Sequence, residues 1–135
     1  MPGAVALEHG TGGYRPGACN IGQSEVARRR AFGIAGLVVS VSFAVILLLV
    51  GAPPLERALV VAPLYGSFIG FYQARRRFCV RFAFAGMSNF GAPGGGARVA
   101  DTAARRADRR AALQMVAICG FGAVFVAGVF ALLPL

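Results

Sequence analysis

Residues 31–50 read AFGIAGLVVSVSFAVILLLV, twenty residues without a charge, and residues 111–135 add twenty-five more. About 20 apolar residues, at 1.5 Å of rise each, span a hydrocarbon core of about 30 Å. A chain of 135 residues has no interior able to cover two such helices on every face. These runs predict a membrane protein. A third run, residues 58–74, holds seventeen uncharged residues between Arg57 and Arg75. It is short for a crossing, but flanking arginines that snorkel can lengthen it. Pro63 lies near its start, where a missing backbone donor matters little.

The formal net charge of +9 comes from fourteen basic residues, all arginine. Clustered arginine suits nucleic-acid phosphates. Here, however, the clusters sit at the ends of the apolar runs, where the positive-inside rule already demands them. No nucleic-acid partner is expected. Thirteen arginines fall on one side of a three-span arrangement and Arg57 alone on the other. That asymmetry predicts a cytoplasmic (inner) membrane protein with its N-terminus in the cytoplasm and its C-terminus outside. Arg28, Arg29, Arg30, Arg75, Arg76, Arg77, Arg105, Arg106, Arg109 and Arg110 are the expected partners of anionic lipid headgroups. RRAF at 29–32 partly matches a twin-arginine export pattern. The apolar run behind it is longer than the roughly 7–15 residues of a signal core, so a retained helix is expected.

The fold class that follows is all-α: three transmembrane helices at about 31–50, 57–74 and 111–134, with a linker at 75–110. Residues 1–18, rich in glycine and proline without apolar periodicity, read as a flexible cytoplasmic tail ahead of a single membrane domain, 19–135. Asn20 followed by Gln23 resembles a capping box that starts the first helix near Ile21, with Glu25 suited to the first-turn dipole. In the linker, FCVRFAFAGMSNFGAPGGGA at 78–97 is apolar but too short to cross, and reads as an interfacial or re-entrant segment with its aromatics at headgroup level. Residues 98–110 form a basic juxtamembrane helix in which Asp101 and Arg105 have the favourable acid-before-base spacing of four.

Ala62, Gly66, Gly70 and Ala74 recur every four residues, a small-residue face of the kind that packs helices in lipid. Ala31 with Ala35, and Ala123 with Ala127, offer poorer versions. The partner of the main face is another span or another copy, which makes a larger membrane complex or a homo-oligomer the expected assembly.

Chemistry is sparse. Cys19 and Cys79 both fall near arginines on the cytoplasmic side, and nearby positive charge favours a thiolate, so a redox or metal-touching thiol pair is one reading. There is no C-x-x-C, and two thiols with a distant His9 do not make four zinc ligands, so neither metal nor cofactor is expected. Free cysteine also packs as a small hydrophobe, which is the reading for Cys119. The spans contain no ionisable group to carry protons, His9 beside Glu8 lacks a third relay member, and GAPGGG at 91–96 lacks the phosphate-loop pattern. An enzyme is not expected.

The stretches YRPGACNIGQSEVARRR and FYQARRRFCVRFAFAGMSNFG resemble a group of small bacterial multi-pass membrane proteins with a Y-R-P-G-x-C-N-I-G lead-in. The resemblance covers residues 14 to about 110. It implies an architecture but no chemistry, and it draws attention to Cys19, Asn20, Cys79 and Asn89. The functional expectation is a structural or regulatory accessory subunit that associates through small-residue faces. A cytoplasmic-face thiol site and a homo-oligomeric channel are the alternatives.

Overall fold

The computed structural model describes residues 13–91 and 95–134 and is mostly helical. Helix α1 covers Gln23–Leu49, α2 is the single turn Pro54–Arg57, and α3 covers Val61–Arg76. A 3-10 turn, Ala58–Val60, joins α2 to α3. Pro63, in the first turn of α3, has no N–H to close an α-type bond onto the Leu59 carbonyl, which suits the 3-10 turn just ahead of the helix. A short helix α4 (Val80–Ala85) and a two-stranded antiparallel hairpin, β1 (Met87–Ser88) with β2 (Ala97–Arg98), lead to the long α5, Thr102–Leu132.

Two of these helices, α1 and α5, are long and apolar enough to cross a membrane. At 27 and 31 residues they reach about 40 and 46 Å, longer than a hydrocarbon core of about 30 Å. The third apolar run forms α3, of 16 residues, preceded by the 3-10 turn and α2, and is not among the helices long enough to count as a span. Helix α3 packs against both long helices, which places it between them.

The α1–α3 crossing is made by glycine, though not by the face expected. A Cβ on Gly70 would lie 2.7 Å from the Gly33 nitrogen, and one on Gly36 would lie 2.8 Å from the Ser67 nitrogen. The Ser67 hydroxyl donates to the Gly33 carbonyl at 2.9 Å, which ties the two backbones together. Ala62 is exposed and Gly66 has ordinary room, so the Ala62–Gly66–Gly70–Ala74 row is corrected to Ser67, Gly70 and Ala74, partnered within the chain. A 100° turn per residue lets Ser67 and Gly70 share a face that Ala62 leaves. The longer small-residue stripe belongs to α5. Ala104, Asp108, Ala112, Cys119, Ala123, Ala127 and Ala131 are all buried, and Ala123 and Ala127 pack against Val60 and Leu64.

The linker is a folded cap. Phe78 and Phe82 are buried at 2% and 8% exposure, so the expectation of headgroup-level aromatics fails for both; of the other two phenylalanines Phe90 is half-buried and Phe84 is exposed. Phe78 and Ala83 pack against Ala112 and Met115 of α5. The tail expectation is corrected from Gly13 onward, because Arg15 and Cys19 exchange two backbone hydrogen bonds at 2.8 and 2.9 Å in a tight turn. At the opposite end Arg57 does not snorkel: it is buried and donates to the carbonyls of Ala52 and Leu133, both at 2.9 Å. Loop carbonyls without helical partners need such donors.

Candidate functional site

Residues 19–22 thread between the end of α3 and the hairpin. The Asn20 and Ile21 amides both donate to the Arg77 carbonyl, at 3.0 and 3.3 Å. On the other side the Asn89 amide donates to the Asn20 carbonyl at 2.9 Å, and Gly22 donates to Asn89 at 2.8 Å. Arg77 reaches this position through a left-handed backbone, φ 53°, at the end of α3. A Cβ on Gly22 would press on the Phe90 backbone at 3.0 Å, so any larger residue here would push that backbone away.

Asn20 is wholly buried and does not cap α1; Gly22 holds that position without a side-chain bond. Its amide instead reaches across 59 residues to Cys79. The Asn20 Oδ1 accepts from the Cys79 N–H at 2.6 Å, and Nδ2 donates to the Cys79 carbonyl at 3.1 Å. One planar side chain thus satisfies both backbone groups of a residue that has just left a helix and not yet entered the next.

The Cys79 sulfur accepts from the Arg29 guanidinium at 3.0 Å. Arg29 also lies 3.4 Å from Glu25, and the Asn89 side-chain amide donates to the other Glu25 oxygen at 2.8 Å. The chain of contacts closes on itself through Asn20, Cys79, Arg29, Glu25 and Asn89. Exposure is 0% for Asn20, 1% for Cys79 and Glu25 and 4% for Asn89, and only Arg29, at 17%, reaches toward solvent. A buried carboxylate is tolerable only when charge and hydrogen bonds meet it, and both do here.

Cys19 and Cys79 are both buried and free, but they address different partners: the Cys19 thiol turns to the Ile21 carbonyl at 3.8 Å. Among the described residues no three His, Cys, Asp or Glu side chains gather as metal ligands. His9 and Glu8, and Pro93 with Gly94 of the glycine-rich link, lie outside the described residues.

A second buried contact pins the lead-in to α5. Asp108, 0% exposed, accepts from the Tyr14 hydroxyl and from the Gly17 amide, both at 2.7 Å. Burial, and then the adjacent Asp108 carboxylate, push the Tyr14 hydroxyl well above its usual pKa. The expected Asp101–Arg105 pair does not form as such. Asp101 caps α5 by accepting from the Ala104 amide at 3.2 Å, and Arg105 donates to the Val99 carbonyl at 3.2 Å.

Two arginines of the expected headgroup set are therefore turned inward, Arg29 and Arg105. Arg30, Arg75, Arg76, Arg77, Arg106, Arg109 and Arg110 are exposed, and Arg28 keeps 58% of its side chain exposed. Of the residues singled out by resemblance, Asn20, Cys79 and Asn89 meet in the ring. Glu25 and Arg29 complete it, and the acid-before-base spacing of four was their signal in the sequence. Asp108 had no such spacing, since position 112 is alanine; its only mark in the sequence was being a lone acid in RRADRR. Comparison with family models, with curated proteins and with solved structures gives no match.

Proposed function

We propose that this chain is a three-span membrane protein, with its folded cap on the cytoplasmic side, that serves as a structural or regulatory accessory subunit. The observation that carries the membrane reading is inverted burial. In α1 the buried positions beyond the first turn are Gly33, Ser40 and Leu47, while Phe32, Val38, Val41 and Leu49 are 56–81% exposed. In α5 the buried stripe is mostly alanine, and Phe121, Phe125 and Leu132 are 71–81% exposed. Water opposes such an arrangement, whereas lipid tails accept it and leave close packing of small residues as the force between helices. Orientation rests on the arginine asymmetry.

The accessory role is supported by what the polar groups do. The ring and the Asp108 contact hold backbone segments together and present nothing to a substrate. A sealed Cys79 offers little to an oxidant or metal, so the thiol alternative loses ground. The Gly70 face is occupied by α1, so a partner has the outer faces of α1 and α5 and the arginine-bearing cap to meet.

Native mass spectrometry of the tagged chain, released gently from its own membrane, tests this reading. The expected result is a defined mass containing another polypeptide or several copies. A lone chain under every mild release condition would remove the accessory role.

A further inference from the structure

Where α1 and α3 emerge from their crossing, the first turns of α1 and the last turn of α3 leave an open cleft of about 420 Å³. Gln23, Arg30, Arg75 and Arg77 supply its polar lining, and Val26 and Ala74 form its apolar side. The size falls within the range of small-ligand clefts, about 300–1,000 Å³. Three arginines line this one cleft, and no carboxylate does.

The described carboxylates are committed elsewhere. Glu25 lies in the ring, Asp108 holds Tyr14 and Gly17, Asp101 caps α5, and Glu56 belongs to α2 at the far end of α3. Glu25 is paired with Arg28 and Arg29. Three like charges around one cleft repel one another unless an anion joins them. Forked guanidinium donors match phosphate oxygens in geometry as well as charge.

The location adds a second argument. Arg30 is the last charge before the uncharged run 31–50, and Arg75 is the first after 58–74. Both mark the edge of the hydrocarbon, so on the membrane reading given above the cleft lies at headgroup height. A neighbouring cleft of about 370 Å³ shares Arg75 and is lined by Phe71, Tyr72 and Arg76, an apolar wall beside a cationic one.

We propose that the Arg30–Arg75–Arg77 cleft is a binding site for one phosphate group, carried by a phospholipid or free in solution. It is a defined site and not one part of a diffuse positive surface. The proposal rests on the membrane reading only for the choice between those two sources.

The test uses the full chain, delipidated in detergent, with three probes. Native mass spectrometry follows dioleoylphosphatidylglycerol and dioleoylglycerol, which has the same chains without phosphate; calorimetry follows inorganic phosphate. Arg30→Gln with Arg75→Gln is compared with Arg109→Gln plus Arg110→Gln, which removes the same charge outside the cleft. All four side chains are exposed, and thermal melts of both variants check folding. Arg77 is left intact because its carbonyl holds the lead-in. The expected result is phosphatidylglycerol binding about 30-fold weaker in the cleft variant, with no comparable loss in the control. Binding of inorganic phosphate lost in the same variant, without a preference for the phospholipid, keeps the site and assigns it to free phosphate. Equal loss in both variants, or binding of neither phosphate probe, overturns the site. Alkaline carbonate extraction of the wild type stands apart: release of the chain from its membrane would sink the membrane reading while leaving the phosphate result to be judged alone.

Discussion

Between the helices, Gly33 and Gly36 of α1 approach Ser67 and Gly70 of α3 so closely that no side chain fits between the backbones. In the cap, Asn20, Glu25, Arg29, Cys79 and Asn89 fill the interior with polar groups, each answered by another. The contrast follows from the state of the backbone in each region. Helices satisfy their own amides and carbonyls, so all they need from a neighbour is close contact. The lead-in and the stretch around Cys79 have little regular structure, and their buried backbone groups require partners from side chains and from each other. Packing in one region is therefore intolerant of volume, and in the other it is intolerant of lost donors and acceptors.

Three sets of substitutions break or sharpen that comparison. The largest effect is expected from Gly70→Leu, which drives a side chain into the Gly33 backbone. It should destabilise the chain by about 3 kcal/mol or more and separate α1 from α3. A Cβ on Gly66 meets only the Phe32 ring, at 3.6 Å, so Gly66→Leu should cost much less than Gly70→Leu. Thermal unfolding in detergent, followed by circular dichroism, compares the two; equal melts would show that the crossing is looser than described.

Next is Arg29→Met, which keeps volume but leaves Glu25 short of its nearest cation. A loss of about 2 kcal/mol is expected, below the full penalty for a broken buried pair. Arg29 retains 17% exposure, and Arg28 stays 3.9 Å from the same oxygen. Adding Glu25→Gln should recover part of the loss, so a double-mutant cycle that comes out additive would deny the coupling.

The smallest effect belongs to Tyr14→Phe, about 1 kcal/mol at neutral pH for one hydrogen bond. Its pH dependence is more informative. The folded Tyr14 hydroxyl keeps its proton above the ordinary value of 10.0, so above that pH the unfolded chain binds fewer protons than the folded one. Its contribution is fully present below pH 10 and is lost as pH rises beyond it. Alkaline melts of the wild type should fall in this window, and the phenylalanine variant should lose that component. Identical alkaline profiles would mean that Tyr14 does not hold the lead-in to Asp108.

The long helices were visible from hydropathy alone, because an uncharged run such as 31–50 is a property of contiguous residues. The same holds for the lopsided arginines. Which small residues would meet was not visible. Four-residue spacing occurs in all three runs, and it could not separate Gly70, pressed on Gly33, from Gly66, which has room. Nor could sequence tell which arginines face outward: Arg28, Arg29 and Arg30 are adjacent, yet only Arg29 reaches the Cys79 sulfur. A rotation of 100° per residue sends neighbours in different directions, and what each meets depends on distant segments. Hydropathy and helix formation are local, so the sequence by itself determined the long apolar helices and the charge asymmetry. The long-range links of the ring join residues 50 to 69 positions apart, and only the tertiary structure could decide them, because those contacts exist nowhere in the chain until it has folded.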